Sequence, residues 1–103
     1  MAITICNLRN RKPRNPWDVK IDRSSPLGNI FCMAGEAQRN TVCDQYDNWF
    51  RQTVLESKQV SSWNELRRLK ALYKEYGKLN LFCWCAPKKC HGETIKQWLE
   101  NNK

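Results

Sequence analysis

The chain has 103 residues, a formal net charge of +8 and six cysteines. This length supports one domain with one hydrophobic core, and five Trp, three Tyr and three Phe supply bulky apolar side chains for it. The sequence contains no run of about 20 apolar residues that could span a membrane, and its start lacks the pattern of a secretory signal. We therefore expect a cytoplasmic protein, without a membrane partner, whose cysteines stay reduced.

The positive charge is concentrated in residues 9–16, which Pro13 and Pro16 make a loop or an arm rather than a strand. This segment contains no acidic residue and four cations: Arg9, Arg11, Lys12 and Arg14. Positive charge of this kind attracts polyanions such as nucleic acid. The segment resembles no base-reading module, so an ordinary solvated surface is the simpler interpretation.

Residues 3–8 are β-branched and apolar, which predicts a first strand. Residues 17–22 alternate apolar and charged side chains, which predicts a second strand, and residues 79–84 predict a third. The apolar residues of 36–56 instead recur at helical spacing. A second helix is predicted to begin at a capping box, Ser62 to Glu65, and to end at Gly77. Ile95, Trp98 and Leu99 predict a short terminal helix.

The order of these elements predicts an α/β fold. The two helices between the second and third strands permit those strands to pair in parallel. The link between the first two strands is too short for a helical crossover, so we expect them to pair antiparallel. The predicted architecture is a single domain with a small three-stranded mixed sheet packed by about three helices.

If the second and third strands are parallel, the loops that follow them leave the same edge of the sheet. These loops are residues 23–29 and residues 85–92. Ligands of open α/β sheets bind outside the carboxyl ends of the strands. The topology therefore predicts that two loops far apart in sequence form one pocket.

The segment from Cys83 to His91 holds three cysteines and the only histidine of the chain. Cys90 and His91 open the last predicted helix, where the helix dipole and free N–H groups favour a thiolate and can also hold a phosphate. Lys88 and Lys89 add positive charge beside them. We therefore place Cys90 and His91 in a ligand pocket, with Cys90 as a candidate nucleophile or His91 as a candidate acid or base.

Two alternatives use the same residues. Cys85, Cys90 and His91 are legitimate zinc ligands, with Cys83 as a fourth, but four donors within nine residues do not match the usual two separated pairs. We therefore predict no cofactor and keep zinc as the weaker alternative. In the structural alternative, histidine packs and the cysteines behave as small apolar side chains. We assign this packing role to Cys6, Cys32, Cys43 and Cys83.

The first loop offers groups suited to an anion. Arg23 presents a planar guanidinium to a phosphate or carboxylate, and Ser24 and Ser25 offer hydroxyls. Gly28 and Asn29 permit positive φ and a close approach to a ligand. Alone this is an ordinary turn, but its expected position opposite the Cys–His loop favours a role in binding. The candidate ligand-binding residues are therefore Arg23, Ser24, Ser25, Gly28, Asn29, Arg39, Cys85, Lys88 and Lys89.

Two motifs of the chain resemble an uncharacterised family of small phage and bacterial domains, domain of unknown function 4326. Its pattern is similar to R-x-S-P-x-G-N-x-F, then an arginine entering an aromatic helix, then C-W-C-x-P-x-x-C-H-G. Here these are Arg23 to Phe31, then Arg39 with Tyr46 and Trp49, then Cys83 to Gly92. Asp22 and Ile30 stand where the family pattern more usually has Gly and Pro. The resemblance implies an α/β domain with a pocket at this edge, and it brings no established reaction.

Two functional hypotheses follow. The first is a small phage-encoded domain in the host cytoplasm that binds a phosphate-bearing ligand, a nucleotide or a nucleic-acid end, between the loops 23–29 and 85–91. The alternative is a phage effector that binds a host protein or nucleic acid through its basic surface, without catalysis. No complete catalytic triad is legible, so the sequence decides neither whether the protein is an enzyme nor its ligand and oligomeric state.

Overall fold

The residues that the computed structural model describes are 2–22, 24–28, 35–84 and 91–102. In this part of the chain the strands are β1 (Ala2–Asn7), β2 (Asp18–Lys20) and β3 (Lys78–Cys83). The α-helices are α1 (Arg39–Trp49), α2 (Val60–Tyr76) and α3 (Gly92–Asn101). A 3-10 turn, Glu36–Gln38, leads into α1, and a π-helical segment, Phe50–Glu56, continues it. The predicted α/β class is confirmed.

The three strands form one sheet in the order β1-β3-β2. Both outer strands pair parallel to β3, with Asn7 opposite Cys83 and Asp18 opposite Asn80. The parallel pairing of β2 with β3 agrees with the sequence prediction. The predicted antiparallel pairing of β1 with β2 is wrong, because β3 lies between them and the described strands form no mixed sheet.

The link from β1 to β2 can be short because β2 begins only a short way back along the sheet from the end of β1. The register places the end of β1 and the start of β2 three residues apart along the sheet and two strand spacings apart across it. That separation is roughly 14 Å at the standard dimensions of a sheet. Residues 8–17 can reach roughly 30 Å when extended, so a loop without a helix makes the parallel connection.

The helices pack on one face of the sheet. Leu79, Leu81 and Cys83 alternate along β3 and belong to the hydrophobic core, together with side chains from all three helices. That helical set is Tyr46, Leu66, Leu69, Tyr73, Ile95 and Leu99. Phe82 points to the opposite face and is fully buried, and Arg11 of the basic loop lies over its ring. The basic segment is therefore a loop packed on the sheet, not a free arm.

The caps of α2 differ in part from the prediction. Ser62 is not the N-cap, because α2 begins at Val60 and the side chain of Gln59 accepts a hydrogen bond from the Ser62 N–H (3.1 Å). Glutamine supplies the oxygen that serine or aspartate usually provides at this position. Gly77 ends the helix as predicted, with φ of 70° in the left-handed region that glycine adopts without steric cost.

None of the helices in the described residues is both long enough and apolar enough to cross a membrane.

Candidate functional site

The carboxyl ends of all three strands lie at one edge of the sheet because the sheet is parallel. The loop after β1 starts there, where the N–H of Leu8 donates to the carbonyl of Cys83 (2.9 Å). The side-chain amide of Asn7 donates to the carbonyl of Trp84 (3.3 Å). The loops after β2 and β3 leave the same edge. The basic loop therefore starts at the edge where the site is predicted.

His91 lies at this edge, immediately before α3, and only 6% of it is exposed. Its Nε2 is 2.5 Å from the backbone carbonyl of Ile21, and its ring lies edge-on to Tyr46 with 4.9 Å between ring centroids. A carbonyl only accepts hydrogen bonds, so Nε2 carries the proton and donates it. His91 thereby joins α3 to the end of β2 and to α1.

The ionisation of His91 follows from this position. Burial lowers the pKa of the imidazole below its ordinary value of 6.5, although the Ile21 carbonyl and the charge of Asp22 act in the opposite direction. The ring is therefore neutral at pH 7, and Nδ1 is its unprotonated nitrogen. A histidine held by a carbonyl through one nitrogen can act as a base or as a metal ligand through the other. The environment suits His91 to these roles better than to that of an acid.

Asp22 connects the loop after β2 to the end of β3. Its carboxylate accepts hydrogen bonds from the Ser24 N–H (3.1 Å) and from the Ser24 hydroxyl, and the Trp84 side chain lies close to it. Burial raises the pKa of Asp22, but the Ser24 hydrogen bonds, the Trp84 side chain and the charge of Lys20 outweigh it and lower the pKa below the usual value. Asp22 is therefore a carboxylate at neutral pH, next to Trp84.

The two residues that flank segment 85–90 are thus both attached to the start of the first loop. Trp84 contacts Asp22, and His91 contacts Ile21. Asp22 and Trp84 were not among the predicted site residues. A signal was present, because Asp22 is an acidic residue placed directly after a strand, at the edge where ligands bind.

The described part of the first loop, residues 24–28, uses most of its polar groups internally. The Ser24 hydroxyl donates to Asp22, whereas the Ser25 oxygen accepts from the Leu27 N–H (3.1 Å). The Ser25 hydroxyl is the acceptor in this bond and can therefore still donate a hydrogen bond to a ligand. Leu27 and Gly28 are buried, so Gly28 does not face solvent.

Tyr46 fixes this loop to α1. Its hydroxyl donates a hydrogen bond of 2.7 Å to the carbonyl of Leu27, and its side chain is fully buried. Tyr46→Phe removes the donor and leaves a buried carbonyl without it, so we predict a loss of about 1–2 kcal/mol in the free energy of unfolding. Urea denaturation measures this loss. In the matched control, Tyr76→Phe, the ring is 38% exposed and we expect almost no change; equal losses in both variants would contradict the assignment.

Several predicted site residues lie outside the residues that the structure describes: Arg23, Asn29, Cys85, Lys88, Lys89 and Cys90. Of the predicted zinc ligands, only Cys83 and His91 are described. Within the described ranges, no three His, Cys, Asp or Glu side chains are grouped to hold a metal ion. Arg39 is half-buried at the first position of α1. It lies seven residues before Tyr46, which places both on the same side of that helix.

The described cysteines are all buried: Cys6, Cys43 and Cys83. Cys83 belongs to the core, in agreement with its predicted packing role. Burial raises the pKa of the Cys6 thiol, although Arg11 opposes this effect, so Cys6 is protonated and unreactive at neutral pH. Cys32 lies outside the described residues.

Comparison with known proteins agrees with the resemblance seen in the sequence motifs. A model of the family described as Domain of unknown function (DUF4326) matches residues 6–101. No curated protein and no solved structure shows significant similarity to the chain.

Proposed function

The chain belongs to this family of unknown function, and from that premise we propose that it binds a phosphate-bearing ligand, a nucleotide or a nucleic-acid end. The site would lie at the carboxyl edge of the sheet, between the loops 23–29 and 85–91. The observation that carries the proposal is the pair of contacts that hold Trp84 and His91 against Ile21 and Asp22. These contacts bring the ends of the two loops together where parallel α/β sheets bind ligands.

In this proposal each polar group has a defined role. Arg23 and Arg39 would supply positive charge for a phosphate, and the Ser25 hydroxyl would donate to it. Lys88 and Lys89 would raise the positive potential at the start of α3. If the site also performs a reaction, Cys90 would be the nucleophile and Nδ1 of His91 the base.

Ligand-dependent thermal stabilisation tests the proposal, because a ligand that binds only the folded state raises the melting temperature. The probes are inorganic phosphate and the four nucleoside 5′-monophosphates. We expect at least one probe to raise the melting temperature of the native protein and to have no effect on Arg23→Ala. Arg67→Ala, on the exposed side of α2, is the matched control. The proposal fails if no probe stabilises the protein or if Arg23→Ala responds as the native protein does.

A second candidate function uses the basic surface alone. In this alternative the protein is a phage effector that acts in the host cytoplasm and binds a host protein or nucleic acid without catalysis. It is favoured by the four cations of residues 9–14, which form no ion pair with the residues that the structure describes. Charge reversal at Arg11, Lys12 and Arg14 would then remove partner binding, whereas Arg23→Ala would not.

Zinc remains a minor variant of the first proposal. Cys85, Cys90 and Nδ1 of His91 would be its ligands, and the hydrogen bond from Nε2 to a carbonyl is the usual support for a metal-bound histidine. Stoichiometric zinc in protein purified without chelators would favour this variant.

A further inference from the structure

A groove of about 540 Å³ lies along the loop that joins β1 to β2. Its lining includes four cations, Arg9, Arg11, Lys12 and Arg14, and one carboxylate, Asp18. The loop starts at the same edge of the sheet as the candidate site, where Leu8 bonds to Cys83. One end of the groove's lining, Leu8, therefore lies at that edge.

The cations of the groove differ from two arginines of the helical part of the chain. Arg51 and Arg68 lie on helices and form ion pairs of 2.7 Å with Asp47 and Glu65. The four groove cations are exposed and form no ion pair within the described parts of the chain. Their charges are therefore available to a ligand with several negative groups.

The carboxylate of Asp18 forms no ion pair with these four cations among the described residues. One of its oxygens accepts from the backbone N–H groups of Arg14 (2.9 Å) and Asn15 (3.0 Å), and the other accepts from the Asn80 side chain (2.8 Å). At the other end of the loop, the side-chain oxygen of Asn7 accepts a hydrogen bond from the backbone N–H of Arg9 (2.8 Å). Both ends of the loop are thus fixed, and a groove fixed in advance loses less entropy on binding.

Arg11 anchors the middle of the loop to the sheet. Its guanidinium carbon lies 5.6 Å from the centroid of the Phe82 ring, and its Nη1 is 3.6 Å from the sulfur of Cys6. Arg11 therefore shapes the groove, whereas Arg9, Lys12 and Arg14 are the cations that can be replaced without removing a packing contact.

An exposed aromatic residue follows β3, and its backbone is bonded to the residue that precedes the loop. Trp84 is 56% exposed and does not line the groove, but its carbonyl accepts a hydrogen bond (3.3 Å) from the side chain of Asn7, which directly precedes the groove residue Leu8. A basic groove combined with a nearby exposed aromatic ring is an arrangement by which proteins bind single-stranded nucleic acid. The cations track the phosphates, and unpaired bases stack on the ring.

We infer that this groove and Trp84 together bind single-stranded nucleic acid. The backbone phosphates lie along Arg9, Lys12 and Arg14, and a base stacks on Trp84. The inference rests on the proposed function for its class of ligand, since it makes the phosphate-bearing ligand a polynucleotide strand; its site is the groove, which is tested separately from the edge site. A duplex fits less well, because its bases are paired and unavailable for stacking.

Fluorescence anisotropy with a labelled 15-nucleotide single strand of DNA tests the inference. We expect a Kd that weakens with salt, and a variant with alanine at positions 9, 12 and 14 that binds roughly 10- to 100-fold more weakly at 50 mM salt. Its slope of log K against log salt should be smaller by about 2, since each phosphate contact on a single strand contributes about 0.7. The matched control removes the same charge from α2 and α3 by alanine at Arg67, Lys74 and Lys96, and should change Kd by less than about threefold.

Trp84 gives a second, independent readout. We expect Trp84→Ala to weaken single-strand binding by about fivefold or more and Trp84→Phe to restore most of it, because base stacking requires only an aromatic face. Equal effects of the groove variant and its control, equal binding of duplex and single strand, or no effect of Trp84→Ala would overturn the inference.

The variant Arg23→Ala separates the two proposals. If Arg23→Ala loses its stabilisation by mononucleotides while the groove variant binds the single strand as the native protein does, the inference alone is overturned. Strand binding that needs the groove and Trp84 but is unchanged in Arg23→Ala would support it and overturn the proposed edge site.

Discussion

The variant His91→Ala is expected to lower the free energy of unfolding by about 3 kcal/mol. The substitution leaves a cavity beside Tyr46, removes the edge-on ring contact and leaves the buried carbonyl of Ile21 without its donor. A loss of this size is a large fraction of the stability of a small domain. Urea denaturation measures it, and Glu100→Ala on the exposed side of α3 should change stability little.

The variant His91→Phe separates the hydrogen bond from the packing. It keeps a ring of similar size against Tyr46 and removes only the donor, so we expect a smaller loss of about 1–3 kcal/mol. If His91→Ala is as stable as the native protein, His91 does not join α3 to the end of β2 as described.

The second large effect is a loss of stability in mild acid. The pKa of His91 is lower in the folded state because burial disfavours the imidazolium. The unfolded chain therefore binds more protons than the folded chain below about pH 6.5, the ordinary histidine value. Stability is fully present above that pH and falls as the pH drops towards the folded-state pKa, with a slope of at most about 1.4 kcal/mol per pH unit.

The assignment of this slope is direct because His91 is the only histidine of the chain. The pKa values of Asp18 and Asp22 are lowered from 3.8, so the stability that these carboxylates contribute is lost only at lower pH. We expect denaturation curves between pH 7 and pH 5.5 to show the slope in the native protein and not in His91→Phe. The same slope in both proteins would assign it to another group.

Sequence patterns predict the elements of this fold better than their arrangement. The period of 3.6 residues identifies the helices, and Gly77 marks the end of α2 because only a residue that tolerates positive φ fits there. The position of β1 could not be predicted by the same reasoning, since it depends on how far the loop 8–17 must travel. That distance depends on the register in which β1 and β2 pair with β3, which places Asn7 opposite Cys83 and Asp18 opposite Asn80, and no local pattern encodes this register. β2 also ends at Lys20, before the predicted residue 22.

The candidate site was predictable in its location and less so in its contacts. Two strands expected to be parallel predicted that the loops 23–29 and 85–92 lie at one edge, and the start of the last predicted helix placed His91 at the same edge. Its bond to the Ile21 carbonyl joins residues 70 positions apart, and no local pattern encodes such a contact. The roles of Asp22 and Trp84 depend on their pairing with each other, so neither residue reveals its role alone.

The central claim is that a phosphate-bearing ligand binds at the carboxyl edge of the sheet beside His91 and Trp84. The most direct measurement is an NMR titration of ¹⁵N-labelled protein with nucleoside 5′-monophosphates. We expect the Trp84 indole N–H and the backbone N–H groups of His91 and Ser25 to shift most. The indole N–H resonances of Trp63 and Trp98, whose ring centroids lie 6.3 Å apart, should shift little. Unchanged resonances at Trp84, Ser25 and His91, or dominant shifts at Trp63 and Trp98, would contradict the claim.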